Sequence, residues 1–192
     1  MNLRQALNKA IQNETSGASQ FIEEVANDLI SVLEDRNFIK DVNEIRRFAL
    51  ELFRARSSMA PVFHLCNLLL LSIEDDILNV DLLKNKIVEF RKMEREQRIQ
   101  AASICAAKLN GSKFITISRS GSVIDALKEL KLKRGIEVVV MESQPGGEGL
   151  KTAKDLFRLG IKVILISDTM VFNEAQKCDA GLVGADSLIP NG

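Results

Sequence analysis

The sequence predicts an α/β fold in which an all-helical domain, residues 1–110, precedes a parallel sheet with flanking helices, residues 111–192. Three observations carry this. Four short aliphatic runs lie downstream: Phe114-Ile115-Thr116-Ile117, Glu137 to Met141, Lys162 to Ile166, and Ala180 to Gly184. Each is short and mostly β-branched or aliphatic, as a strand buried on both faces should be. The segments between them, Val123 to Leu132, Gly149 to Leu159 and Val171 to Lys177, are long enough for crossover helices. Strand–helix units repeated in this way imply parallel pairing. Upstream, apolar residues recur at helical spacing instead.

Parallel sheets bind ligands just past the carboxyl ends of their strands. Those ends are small, polar or acidic here. Ser118, Ser120, Gly121 and Ser122 sit between a strand and a helix, where free N–H groups and the helix dipole suit a phosphate. Arg119 could add a charge-assisted contact; the plainer alternative is a serine N-cap on a tight turn. Pro145-Gly146-Gly147-Glu148-Gly149 could bring backbone close to a ligand or simply be a flexible loop. It is no P-loop, because no Gly-Lys-Ser/Thr follows. Asp168 and Asp186 follow two strands and could do acid–base work or bind sugar hydroxyls. The alternatives are helix capping for Asp168 and turn formation for Asp186.

Composition narrows the partners. Of 192 residues, 46% are hydrophobic, enough for a core. A formal net charge of zero gives no electrostatic case for a nucleic-acid or membrane surface. Trp and Tyr are absent, which weakens any base-stacking platform. Cys66, Cys105 and Cys178 are widely spaced, so the pattern implies reduced thiols in a cytoplasmic protein, with no metal and no cofactor. The first residues lack a signal-peptide apolar core, and the run near Leu68 to Leu71 is too short to span a bilayer.

In the helical part, Phe21, Val25, Leu29 and Leu33 make one stripe, with Ser16 or Ser19 as a cap. Val42, Ile45, Ala49, Leu52 and Phe53 make a second, capped by Asp41. Pro61 suits the first turn of a third helix, and Val62, Phe63, Leu65, Cys66, Leu69 and Leu70 predict that it is buried. His64, the only histidine, lies there and reads as a packed or interface residue. A long helix then runs from Asp81 to about Leu109, packed early through Leu83, Ile87 and Phe90. Its middle is charged, its end is small and apolar, and Asn110-Gly111 stops it. A turn dipeptide at the end, Asn191-Gly192, suggests an apparently C-terminally truncated member of something larger.

The segment Val183-Gly184-Ala185-Asp186 through Asn191-Gly192 resembles a family signature, GAD followed shortly by NG. Glu142-Ser143-Gln144-Pro145 with Glu148-Gly149 is similar to that family's E-[ST]-R-P…G segment, and Ile166-Ser167-Asp168 to its third strand end. Ala55-Arg56-Ser57-Ser58-Met59-Ala60-Pro61 resembles its helical motif. The family holds the alpha, beta and delta subunits of eukaryotic translation initiation factor 2B. It also holds isomerases acting on methylthioribose 1-phosphate and ribose 1,5-bisphosphate. The resemblance implies a helical domain followed by a Rossmann-like domain, and homo-oligomers, dimers or hexamers, built on the latter. Its isomerases use a cysteine after the first strand and the aspartate of GAD. Asp186 matches that aspartate, while Ser118 stands at the cysteine position and Ile117 where the enzymes have histidine. The arginine of E-[ST]-R-P, a phosphate ligand by family analogy, is Gln144 here.

The resulting expectation is a regulatory-subunit-like binding protein that keeps a pocket for a phosphorylated sugar or a nucleoside monophosphate. Ser118, Arg119, Ser120, Gly121, Ser122, Gln144, Glu148 and Gly149 would line it, with Asp168 and Asp186 on the hydroxyl side. A translation initiation factor is the implied protein partner; direct nucleic-acid and membrane binding are not implied. The alternative is an aldose–ketose isomerase in which Asp186 relays protons and Ser118 replaces the thiol. A purely structural oligomer partner is the third reading.

Overall fold

The computed structural model describes residues 1–13, 16–35, 38 and 41–186. The signature residues from Ser187 to Gly192 lie outside the described residues. The described chain divides into two compact units, one from Met1 to Arg95 joined by Asp186, the other Glu96–Ala185.

The first unit is helical. Helix α1 (Leu3–Gln12) opens with a capping box that the sequence reading did not anticipate. Asn2 Oδ1 accepts from the Gln5 N–H at 2.9 Å, and Gln5 Oε1 accepts from the Asn2 N–H at 3.0 Å. Helix α2 (Ala18–Leu33) starts after Gly17 with no side-chain cap. Ser16, one of the expected caps, instead accepts at its hydroxyl from the Asn13 side-chain amide. Asp41 caps α3 (Val42–Ala55) by accepting from the Asn43 N–H at 2.8 Å, and Pro61 lies in the first turn of α4 (Ala60–Leu70).

Phe21, Leu29, Ile45, Phe48, Leu52, Leu65, Leu69, Leu83 and Ile87 are fully buried and form this unit's core. Helix α4 was expected to be buried all round, but Phe63 is 47% exposed. Val62, Leu65, Cys66 and Leu69 fill its inward face, leaving Phe63 to lie on the outside against Phe53 and His64, ring centroids 6.0 Å apart. Arg56 ties this unit together through its backbone. Its Nη2 donates to the Asn13 carbonyl at 2.6 Å and its guanidinium lies 5.5 Å from the Phe21 ring centroid.

Helices alone were expected up to residue 110. A hairpin interrupts them: β1 (Ile73–Glu74) pairs antiparallel with β2 (Ile77–Leu78). Its two-residue turn, Asp75-Asp76, has φ values of 48° and 59°. Two successive positive φ angles match the hairpin twist, and Asp tolerates them better than most residues. Helix α5 (Val80–Lys108) follows, Val80 to Arg95 lying in the first unit and Glu96 onward in the second. No helix among the described residues is long and apolar enough to cross a membrane.

The second unit is a parallel sheet of β3 (Lys113–Thr116), β4 (Glu137–Met141), β5 (Lys162–Ile166) and β6 (Ala180–Leu182), in the order β5-β4-β3-β6. Helix α6 (Gly121–Lys133) joins β3 to β4 and α7 (Glu148–Arg158) joins β4 to β5. A 3₁₀ turn, Asp168–Met170, runs into the short α8 (Val171–Ala175) before β6. On one face, Phe114, Val138 and Val140 pack with Ala102 and Ala106 of α5, Leu127 and Leu130 of α6, and Leu156 of α7. The small apolar end of α5 therefore lies on the sheet, as its sequence predicts. The other face gathers Ile115, Val139, Met141 and Ile166, with Ile164 and Cys178 against them. Burial on both faces holds for β4, where Val138, Val139 and Val140 are fully enclosed. It fails at the edge strand β5, where Leu165 is 40% exposed.

Close backbone approach fixes α7. A Cβ at Gly149 would stand 1.7 Å from the Met141 carbonyl oxygen, so only glycine lets the helix start against the β4 end. Gly149→Ala should lower stability by about 1–3 kcal/mol in urea titrations, as overpacking against backbone does. Gly135→Ala, where nothing lies within 4 Å, should change it by no more than about 1 kcal/mol.

The start of β3 is held by Asp179, whose Oδ2 accepts from the Ser112 and Lys113 N–H groups at 2.7 and 2.8 Å. These bonds hold its carboxyl below the ordinary 3.8. A depressed carboxyl contributes stability above its unfolded value and loses it as pH falls through the folded value. The Tm gap between the native chain and Asp179→Asn should therefore be constant near neutrality and close as pH falls below 3.8. A gap that persists unchanged to about pH 2.5 would contradict this assignment.

Candidate functional site

The strand order defines where a ligand would sit. From β3 the chain proceeds outward through β4 to β5, then returns to place β6 on the other side of β3. The crevice of such a sheet opens beyond the carboxyl ends of the strands flanking that reversal. The β3 end, Ser118 to Ser122, and the β6 end, Gly184-Ala185, flank it here. They meet closely: a Cβ at Gly184 would stand 2.3 Å from the Ser120 Oγ.

Strand β3 stops at Thr116 because Ser118 turns the chain at φ 62°. Every polar group of Ser118 is then used by another segment. Its N–H donates to Ser143 Oγ at 2.7 Å, its hydroxyl donates to Glu148 Oε2 at 3.0 Å, and its carbonyl accepts from Thr152 Oγ1 at 2.8 Å. Ser143, at the β4 end, also has φ 62°. Its hydroxyl donates to the Met141 carbonyl at 3.1 Å. The Ser143 and Gln144 N–H groups each donate to one oxygen of Asp168, both at 2.8 Å. Three strand ends are thus stitched into one rim.

Apart from Asp186, the predicted site residues fall into three groups. Ser118, Glu148 and Asp168 belong to this hydrogen-bonded rim, and Gly149 fixes it through the α7 approach, its N–H donating to the Glu142 carbonyl at 3.1 Å. Ser120, Gly121 and Ser122 form the start of α6, Ser120 Oγ accepting from the Val123 N–H at 3.4 Å. The Gly121 and Ser122 N–H groups of that first turn have no preceding turn to bond to, which suits an anion. Arg119 and Gln144 stand differently. Arg119 turns to α7, its Nε and Nη2 donating to Asp155 Oδ2 at 3.2 and 3.0 Å. Gln144 joins the rim through its backbone alone among these bonds.

Asp168 does not cap its own helical turn, which starts at Ser167 without a side-chain cap. Its carboxylate braces the neighbouring loop instead. Asp186 lies in the first unit, exposed, with its carbonyl accepting from the Ala60 N–H at 3.1 Å. The bonds that join Ser118, Ser143, Glu148 and Asp168 do not include it. Among the described residues, no cluster of three or more His, Cys, Asp or Glu could hold a metal ion.

Sequence reading missed Ser143, Thr152 and Asp155. The last two were within reach. Glu148, Thr152 and Asp155 stand at i, i+4 and i+7, one stripe of α7. Thr152 is the most enclosed of them, 1% exposed. Asp168→Ala would leave the Ser143 and Gln144 N–H groups without their acceptor. It should cost about 1–3 kcal/mol in chemical denaturation, more than Asp168→Asn, which keeps one acceptor oxygen.

A model of the Initiation factor 2 subunit family matches residues 2–192. A translation initiation factor eIF-2B subunit 2-like protein of Pyrococcus abyssi is 28% identical over 188 residues, 97% of this chain and 66% of the relative. Ribose 1,5-bisphosphate isomerase of Archaeoglobus fulgidus is 25% identical over 98% of this chain and 61% of its own length. The crystal structure of the Pyrococcus horikoshii translation initiation factor eIF-2B superposes with a TM-score of 0.83 at 25% identity, over 96% of this chain and 66% of that one. The chain thus spans just under two thirds of the length of these relatives. With the family model matched across nearly every residue and the fold shared, this chain belongs to the Initiation factor 2 subunit family.

Proposed function

We propose that this chain is a regulatory, ligand-binding member of the family rather than a sugar-phosphate isomerase. In this reading the rim holds a phosphorylated sugar or a nucleoside monophosphate. The phosphate lies at Ser120, Gly121 and Ser122, and the hydroxyls lie toward Ser118, Glu148 and Asp168. The protein works in the cytoplasm as a homo-oligomer and engages a translation initiation factor. One observation carries the choice. The rim position that would supply a thiol is Ser118, and its only proton is directed to Glu148 at 3.0 Å. A hydroxyl is a far weaker acid than a thiol and shuttles protons poorly.

The isomerase reading keeps one supporting observation, the identity shared with the Archaeoglobus fulgidus enzyme along nearly all of this chain. Asp186 would then relay protons and Ser118 would stand in for the thiol.

A thermal-shift panel of ribose phosphates, methylthioribose 1-phosphate and nucleoside monophosphates tests the binding reading. A ligand at ~100 times its Kd should add about 2.7 kcal/mol. The expected result is a shift with at least one of these and no turnover of any sugar phosphate. Isomerase turnover that disappears in Asp186→Asn and rises in Ser118→Cys would establish the second reading in its place.

A further inference from the structure

We propose that the helical unit carries a binding site of its own, a cavity between α1 and α3 that takes a free α-amino acid with a short aliphatic side chain, held as its zwitterion. Both helices belong to the first unit, so the site is independent of the strand-end rim.

The cavity has a volume of about 200 Å³. Its floor is Leu3 and Leu7 of α1 and Phe48 of α3, all buried. Leu3 and Leu7 stand one turn apart on the inward face of α1, so the floor is apolar by helical spacing. The wall is charged: Arg4 on α1, and Glu44, Arg47 and Glu51 on α3, all exposed. The three α3 residues fall at i, i+3 and i+7, one stripe, so Arg47 has a carboxylate one turn away on either side. Asn8 completes the lining with a neutral amide. Other exposed charges of this unit are paired: Lys9 with Asp28, Arg46 with Asp76 and Lys84 with Glu34. Among the described residues, the side chains of Arg4, Glu44, Arg47 and Glu51 form no ion pair, although each has an opposite charge close by. Pairs on a solvated helix face are weak, so these charges are readily given to a ligand.

Charge balance selects the ligand class. Two cations and two anions line one small space, and their sum is zero. A ligand of one sign meets like charge there: a phosphate ester faces Glu44 and Glu51, and a polyamine faces Arg4 and Arg47. A zwitterion matches both pairs. Its carboxylate goes to the guanidinium groups, whose planar forks fit two carboxylate oxygens at once. Its ammonium, three donors and no acceptor, goes to the glutamates. Size narrows the class further. Sites for drug-sized ligands run to roughly 300–1,000 Å³, so this cavity is too small for a nucleotide and suits a molecule of few heavy atoms. The narrow apolar floor suits a short aliphatic side chain. A free amino acid is selected over a peptide, because a peptide bond at either end removes one of the two charges that the wall reads.

The test is isothermal titration of the full chain with L-valine, N-acetyl-L-valine and L-valinamide. Native protein should bind L-valine saturably at concentrations up to roughly 10 mM. Each blocked analogue should bind about tenfold or more weakly, because each lacks the charge that one half of the wall recognises. Arg47→Gln should weaken L-valine about tenfold or more. Arg54→Gln, exposed on the same helix and outside the cavity, should leave the affinity within about twofold. The analogues are read on native protein, so the proposal stays testable whether or not a variant folds. Absence of saturable L-valine binding overturns it. So do blocked analogues that bind as tightly as L-valine, or an unchanged affinity in a folded Arg47→Gln. Any of these results leaves the reading of the rim standing, because the sugar-phosphate panel probes the other unit.

Discussion

Ser118 leaves β3 in the left-handed region, a conformation that costs a residue with a Cβ roughly 1–2 kcal/mol. Its φ is 62°. The turn persists because the residue is bonded from three directions at once: by Ser143 of the next loop, by Glu148 at the start of α7 and by Thr152 one turn further along. Net contributions of about 0.5–1.5 kcal/mol each are enough to offset the strain. The consequence is positional. Because the chain turns here, Ser120 can begin α6 beside the β6 end, and the crevice at the strand reversal acquires a helix start on one wall. Were β3 to continue straight, Ile117 and Ser118 would be strand residues, and α7 would lose the partners that fix its first turn.

The two ends of the sheet are held by different forces. At the amino ends, Glu137 of β4 pairs with Lys113 of β3 at 3.1 Å and with Lys162 of β5 at 2.5 Å. These cations hold the Glu137 carboxyl below its ordinary value. Exposed pairs of this kind contribute little stability each, but one anion between two cations on adjacent strands favours a single register. At the carboxyl ends the strands are joined by directional hydrogen bonds between side chains and backbone. Directional bonds fix angles as well as distances, so the strand ends are held in orientation as well as in register.

Much of this was legible because it follows from periodicity. The strands β4 and β5, the stripe of α2, the Asp41 cap and the packing end of α5 are all consequences of which residues are apolar and how far apart they lie. The hairpin at Ile73–Leu78 was not, because each strand is only two residues long and too short to show an alternation. The Asp75-Asp76 pair was its one local signal. At the rim, Glu148 and Asp168 could be named from their place after strands, but their partners could not. Which N–H each carboxylate accepts depends on the φ of Ser143 and on strand register, and neither is written in local sequence. Asp168 illustrates this: as a short-range cap it would bond its own helix, and instead it bonds the loop of the neighbouring strand.

The chemistry available at a family fold then turns on single atoms. A thiol at the β3 end would ionise near neutrality when suitably placed; the hydroxyl found there donates its proton to a carboxylate. Two of the chain's three thiols sit in other settings. Burial pushes Cys66 up to about 11, where it donates to the Ala49 carbonyl inside the helical core. Cys178 is likewise raised, first by burial, and donates to the Glu174 carbonyl below the second face of the sheet. At the strand ends themselves stand a committed hydroxyl, Ser118, and two carboxylates, Glu148 and Asp168, each accepting hydrogen bonds from a neighbouring segment.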